Sequence, residues 1–142
     1  MSGHRVERVR AFFESLSPES LPRIDEIYAR DAYFKDPFNE VRGVAAIRRI
    51  FSHMFVQVDA PRFVVREVVA AGDSAFLTWD FRFRARRLGS AEQVIHGASH
   101  LRFAAAGRVC HHRAYWDAAE ELYEKIPLLG GLMRLLKRRA AS

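Results

Sequence analysis

The run Ser74-Ala-Phe-Leu-Thr-Trp-Asp-Phe-Arg-Phe-Arg84 changes polarity at nearly every step. Side chains of a strand alternate between its two faces, so Leu77, Trp79, Phe81 and Phe83 share one side and Thr78, Asp80, Arg82 and Arg84 the other. A strand that is apolar on one face and charged on the other belongs to a sheet with an inside and a wet outside. Turn signals bracket it: Gly72-Asp73 before, and the polar Arg86 to Ser90 loop after. On either side the same period of two recurs, over Arg62 to Ala71, Gln93 to Phe103 and Arg108 to Trp116. Short connections make these four runs antiparallel neighbours.

Upstream the period changes. Val6, Val9, Phe12, Phe13 and Leu16 recur at three and four, which predicts a helix over Val6 to Leu16, stopped by Ser17-Pro18. A second helix is expected over Leu21 to Ala29, with Ser20 as N-cap, Pro22 in its first turn, and Tyr28 facing inward. Ala32 to Lys35 reads as a short strand, because Asp36-Pro37 removes the next ladder donor. After a loop through Gly43, a third helix covers Val44 to Phe55 and is bounded by Pro61. Helices first and a meander last describe an α+β domain, with helices packed on one face of a curved sheet.

Composition narrows the function. With 142 residues, 49% of them hydrophobic and 28% charged, the chain can bury one real core. No apolar run approaches the roughly 18–20 residues of a membrane span, and Met1-Ser-Gly-His-Arg-Val-Glu7 is not an apolar leader, so a cytoplasmic location is expected. The net charge of +6 gathers partly in Arg134, Lys137, Arg138 and Arg139. Without a basic stripe carrying interleaved aromatics, the pattern argues against a nucleic-acid partner. No P-loop, GxGxxG, HExxH or zinc-finger spacing occurs, so no cofactor is expected. Residues 118–142 form an amphipathic, basic tail after a domain of residues 1–117, with a break expected near Pro127 or Gly130-Gly131. That tail packs on the body or a second subunit, the lesser alternative being a membrane surface.

The order of these elements, with Phe34-Lys-Asp36-Pro37 at a strand end, Gly43-Val-Ala-Ala-Ile47 opening a helix and Arg113-Ala-Tyr-Trp116-Asp117 closing the sheet, resembles the nuclear transport factor 2-like superfamily over roughly residues 5–117. That group includes the ketosteroid isomerases and the SnoaL-like polyketide cyclases. The resemblance implies a cone: helices on the concave face of a strongly curved, mainly antiparallel sheet, enclosing a deep apolar pocket, often in a homodimer joined by the outer sheet face. It also implies that Asp36 stands where the isomerases keep their general base, the carboxylate that moves a proton between carbons flanking a carbonyl. The positions of their two oxyanion donors hold Phe12 and Ser99, and the position of an acid in the related epoxide hydrolases holds Ala114, so neither set carries over.

The residues themselves suggest a site. Phe12, Phe51, Leu77, Trp79, Phe81 and Trp116 are the expected pocket lining, where a small apolar carbonyl compound would bind. Asp36 is read either as the base facing that pocket or as a turn-capping aspartate. A two-residue turn within Ala104 to Gly107 would set Ser99 against His112, and His100 against His111; a three-residue turn would shift that register. Ser99 and His112 then make a second polar centre, His112 serving as proton shuttle or oxygen donor or else as a neutral core histidine, with Tyr28 as a further donor. The outer face would carry Asp80, Arg82, Arg84, His96, His100, Arg102, His111, Arg113 and Tyr115. Its arginines oppose a metal and suit a polar homodimer interface, with Asp80 paired to one of them. Cys110 is expected to point inward and to be inert. The chain is thus an acid–base isomerase, cyclase or dehydratase working without cofactor, or a non-catalytic module that holds a hydrophobic ligand.

Overall fold

The structure is a computed structural model that describes residues 2–85, 91–121 and 135–141. Helix α1 (Ser2–Glu14) opens the chain, followed by a 3₁₀ helix (Leu21–Glu26), β1 (Tyr28–Lys35), β2 (Glu40–Arg42), α2 (Val44–Gln57), β3 (Asp59–Ala71), β4 (Ser74–Arg84), β5 (Gln93–Phe103), β6 (Val109–Tyr115) and α3 (Ala118–Glu121). Six strands form one curved, unclosed sheet in the order β2-β1-β6-β5-β4-β3. Every pairing is antiparallel except β1 with β6. The α+β architecture is as expected. Among the described residues no helix is long and apolar enough to cross a membrane.

The apolar stripe of α1, led by the buried Val6 and Val9, joins Leu21, Ile24, Ile47, Phe51, Leu101 and Val109 in a single core. Arg5 pins this helix to the far hairpin: its guanidinium donates to the Gly72 carbonyl at 3.1 Å, meets Asp73 at 3.1 Å, and lies over the Phe103 ring. Helix α1 stops at Glu14, two residues short of Leu16, where the Ser15 hydroxyl donates back to the Ala11 carbonyl at 2.7 Å. Such back-bonding competes with continuation of a helix.

Four local expectations are corrected. The second helix is a 3₁₀ helix that ends at Glu26, not an α-helix to Ala29. The sheet takes the chain from there, since Val109 N–H donates to the Ile27 carbonyl at 2.8 Å and Tyr28 already pairs with Val109. Ser20 makes no side-chain cap; its hydroxyl accepts from Ser17 N–H at 2.9 Å and closes the preceding turn. The loop before α2 contains a short strand, β2, which leads into Gly43 at φ 103°, a conformation that side chains with a Cβ avoid. Strand β3 starts at Asp59 and runs through Pro61, which is tolerated because it falls in the irregularity between Asp59 and Arg62 of an edge strand, where no ladder bond is asked of it.

The last hairpin departs from the two-residue register. Gly107, at φ 91°, ends a turn in which Ala104 N–H donates to the Arg108 carbonyl and Gly107 N–H to the Ala104 carbonyl. Three residues therefore lie between Ala104 and Arg108, and a bulge at Cys110 adds one more step, so His112 pairs with Leu101 and Ser99 with Ala114. Beyond the bulge the combined slip is two residues, and an even slip keeps His111 to Tyr115 on their expected faces; before it the slip is one, so the fully buried Val109 takes the inward place expected of Cys110. Cys110, seated in the bulge, is half-buried and directs its thiol to the Arg102 carbonyl.

On the outer face Asp80 is buried beneath its partners. Arg66 of β3 donates to Oδ2 at 2.8 Å, His96 meets Oδ1 at 2.7 Å, and Arg82 is 4.0 Å away. The His96 and Arg66 hydrogen bonds hold the Asp80 carboxyl below its usual pKa. The expected arginine partner thus comes chiefly from the neighbouring strand. Beside this cluster runs a row of rings: Phe76 stacks on His100 at 4.5 Å, His100 meets His111 at 5.3 Å, and His111 stacks on Tyr33 at 5.2 Å. Of the expected tail, Ala118–Glu121 and residues 135–141 are helical; Pro127 and the two glycines lie outside the described residues.

Candidate functional site

The alternation that placed Trp79 inward on β4 also brings it level with Gly97 on β5. A Cβ at residue 97 would lie 2.4 Å from Trp79 Cη2 and 2.6 Å from Cζ2. The missing side chain lets the indole lie across the neighbouring strand, and its N–H donates to Ser99 Oγ at 3.0 Å. Ser99 Oγ is 2.8 Å from His112 Nε2, and His112 Nδ1 is 2.6 Å from the Tyr28 hydroxyl. Four strands, β4, β5, β6 and β1, thus each contribute one member to a continuous polar row. Tyr28, Ser99 and His112 are respectively 1%, 5% and 6% exposed. The contact between Ser99 and His112 forms diagonally, two residues off the register that first suggested it.

Burial governs the row's electrostatics. It lowers the His112 pKa to about 3, with nearby His111 adding to the shift, so the ring is neutral around pH 7. It pushes the Tyr28 phenol well above its usual value, so that hydroxyl keeps its proton. Phe13, Phe34 and the face of Tyr28 enclose the imidazole, with Phe34 at 4.9 Å. Both imidazole nitrogens are taken within the protein, so His112 reaches a ligand through Ser99 rather than directly.

Ser99, His112 and Trp79 line a cavity of about 850 Å³ between the helices and the sheet. Phe51, Leu77, Phe81 and Trp116 line it as expected, while Phe12 does not; Phe13, next on α1, takes that place, and Phe12 packs edge-on against it at 5.4 Å. Phe12 and Phe13 lie three and four residues from Val9, on either side of the same stripe, and it is Phe13 that turns into the cavity.

Asp36 also lines this cavity, together with Asn39. Its Oδ1 accepts from Phe38 N–H at 2.9 Å, Asn39 N–H at 2.7 Å and the Asn39 amide at 3.0 Å, while Oδ2 accepts only the Asn39 amide, at 3.2 Å, among the described residues. One oxygen caps the turn and the other is largely unengaged. Asp36 follows Lys35, which is level with Arg113, and therefore stands near Ala114, whose partner across the sheet is Ser99. Carboxylate and hydroxyl are separated by about two strand spacings, roughly 9–10 Å of backbone, with a methyl group between them.

Comparison with known proteins bears on the family and the fold. Residues 9–112 match the model of the SnoaL-like domain. The chain belongs to the SnoaL-like family, of nuclear transport factor 2-like fold. No curated protein sequence matches it. Among solved structures, the SnoaL-like chain is similar to a SnoaL-like polyketide cyclase candidate from Jannaschia sp. CCS1 (14% identity, 89% of this chain and 94% of that one, TM-score 0.76). It is also similar to an LEH-like epoxide hydrolase from M. tuberculosis (17% identity, 96% and 98% covered, TM-score 0.72). A third is a nuclear transport factor 2-like protein of unknown function from Burkholderia pseudomallei (19% identity, 84% and 95% covered, TM-score 0.72).

Besides Phe13, sequence reasoning missed Gly97 and Asn39 at the candidate site. A glycine inside a strand is a recognised sign of a close approach, so Gly97 could have been found; Asn39, in a loop, gave no such sign. Replacing Gly97 by Ala forces Trp79 away. The expected cost is about 1–3 kcal/mol of overpacking, with loss of the indole-to-Ser99 bond. Urea unfolding checks the stability, and a red-shifted Trp79 emission in a Trp116→Phe background checks the displacement. Unchanged emission would mean that β5 yields instead of the ring.

Proposed function

We propose that the cavity receives a small apolar carbonyl compound and that Asp36 moves a proton beside its carbonyl without a cofactor. The observation that carries this reading is a mainly apolar cavity that holds a half-engaged carboxylate at one polar point and the Ser99 hydroxyl at another. In the proposed step Asp36 Oδ2 takes the proton from the carbon next to the carbonyl. The C–H electron pair moves into the carbonyl, and Ser99 O–H donates to the oxygen as it becomes an enolate. Return of the proton to another carbon gives an isomer; attack of the enolate on a second carbonyl gives a ring; loss of a β-hydroxyl gives a dehydrated product. The test is hydrogen–deuterium exchange at the α-carbons of 2-decalone in D₂O, with wild type and Asp36→Asn compared.

One observation favours a second reading, a non-catalytic ligand carrier: the three bonds that Asp36 Oδ1 accepts are those of a turn cap. Native mass spectrometry separates the two. A co-purifying apolar ligand retained by Asp36→Asn, with no exchange activity in wild type, would favour the carrier.

We also propose a homodimer joined through the outer sheet face, where the row from Phe76 to Tyr33 gives an aromatic surface flanked by Asp80 and its cations. Light scattering at micromolar concentration is expected to give about twice the chain's 16.3 kDa. A single-chain mass would remove the proposal.

A further inference from the structure

We infer that the buried row runs in one direction, Tyr28 to His112 to Ser99, and ends on a Ser99 hydroxyl proton that selects ligands presenting a bare acceptor oxygen, a ketone over the corresponding alcohol. The inference rests on the reading of the cavity as a ligand site and deepens it.

The proton order follows from counting donors. Among the described residues, the Tyr28 hydroxyl has one partner, His112 Nδ1. It is buried, and its proton needs an acceptor. The His112 ring is neutral, so one nitrogen carries a hydrogen and the other a lone pair. A hydrogen on Nδ1 would point at the Tyr28 oxygen and leave the phenolic proton with nowhere to go. A hydrogen on Nε2 satisfies both contacts at once: Tyr28 O–H donates to Nδ1, and Nε2–H donates to Ser99 Oγ. Trp79 Nε1, which can only donate, gives Ser99 Oγ a second hydrogen.

Both lone pairs of Ser99 Oγ are then filled, and its own proton is left over. Neither neighbour can accept it. Ser99 lines the cavity, so the free O–H is a donor set in an apolar wall. Two donors drawing on the same oxygen polarise that O–H and strengthen it. A ketone oxygen accepts the proton and asks for nothing more. An alcohol oxygen can accept it too, but its own hydrogen finds no lone pair on Trp79, His112 or Ser99, and the Asp36 carboxylate lies across Ala114, about two strand spacings away. That unmet donor is the basis of the selectivity.

The experiment uses the whole wild-type protein with ¹⁵N-labelled histidine, and 2-decalone and 2-decalol as probes. Long-range ¹H–¹⁵N spectra are expected to show His112 protonated at Nε2 and bare at Nδ1 throughout pH 5–8. The ketone is expected to bind about fivefold or more tighter than the alcohol, a preference that Ser99→Ala loses. A hydrogen on Nδ1, or equal affinity for the two probes, would overturn the inference while leaving the cavity a ligand site. Binding of neither probe alongside an Nε2 proton would instead overturn the reading of the cavity, and the selectivity with it. Because spectra and affinities come from wild type, a misfolded Ser99→Ala would not protect the inference.

Discussion

Lowering the pH from 7 to 4.5 is expected to remove about 2–3 kcal/mol of folding stability through His112 alone. In the native protein this imidazole is enclosed by rings and its pKa falls to about 3; in the unfolded chain it titrates near 6.5. Between those values the unfolded state binds the additional proton, so stability is complete above about 6.5 and declines as the pH falls toward 3. At pH 4.5 the chain sits two units into that window, and each unit is worth about 1.4 kcal/mol. His100 and His111, whose pKa values burial also lowers, act in the same direction, and Asp80 adds its own loss only below the ordinary carboxylate range. Urea unfolding at pH 7.0, 5.5 and 4.5 measures the slope. A His112→Phe variant orphans the Tyr28 hydroxyl and is expected to be less stable at pH 7, but its stability should vary much less between pH 7 and 4.5. Equal slopes in the two proteins would show that His112 is not the sensitive group.

The same residue shows what was legible in the sequence. Alternation along Ser74 to Arg84 is a local property, and it correctly turned Leu77, Trp79 and Phe81 toward the cavity. Register depends on turn geometry, and a run of three alanines before Gly107 does not disclose how many residues the turn will use or that Cys110 will bulge. The contact of Ser99 with His112 survived because a slip of two preserves the face, and the oxygen and imidazole can meet along a diagonal. Tyr28 was placed inside as part of a helix and lies inside as the first residue of β1. Helix and strand happen to agree there on direction, while the parallel pairing that decides between them joins residues about eighty positions apart. Asp36 was read as a cap or as a pocket carboxylate. The two roles divide between its oxygens, and that division depends on where Asn39 points, which spacing alone does not carry.

This division makes Asp36 the most informative residue to change. Asp36→Asn keeps a carbonyl oxygen in the place of Oδ1, so Phe38 and Asn39 N–H retain their acceptor and the turn is expected to hold. It replaces Oδ2 by an amide, which cannot take a proton; the Asn39 side chain relieves the resulting clash of donors by turning its own oxygen inward. The expected result is a loss of about 100-fold or more in protein-catalysed deuterium exchange of 2-decalone, the usual scale for removal of a general base, with affinity for the ketone nearly unchanged. Asp36→Ala should lose the same activity and also stability, because two backbone N–H groups lose their acceptor at about 1 kcal/mol or more each. A cap without catalytic duty gives a different pattern: Asp36→Ala destabilised, and exchange in wild type and Asp36→Asn alike at the buffer rate. Exchange above the buffer rate and equal in wild type and Asp36→Asn would place the base elsewhere in the cavity. Activity lost in both variants, with stability lost only in Asp36→Ala, is the outcome that only the divided carboxylate explains.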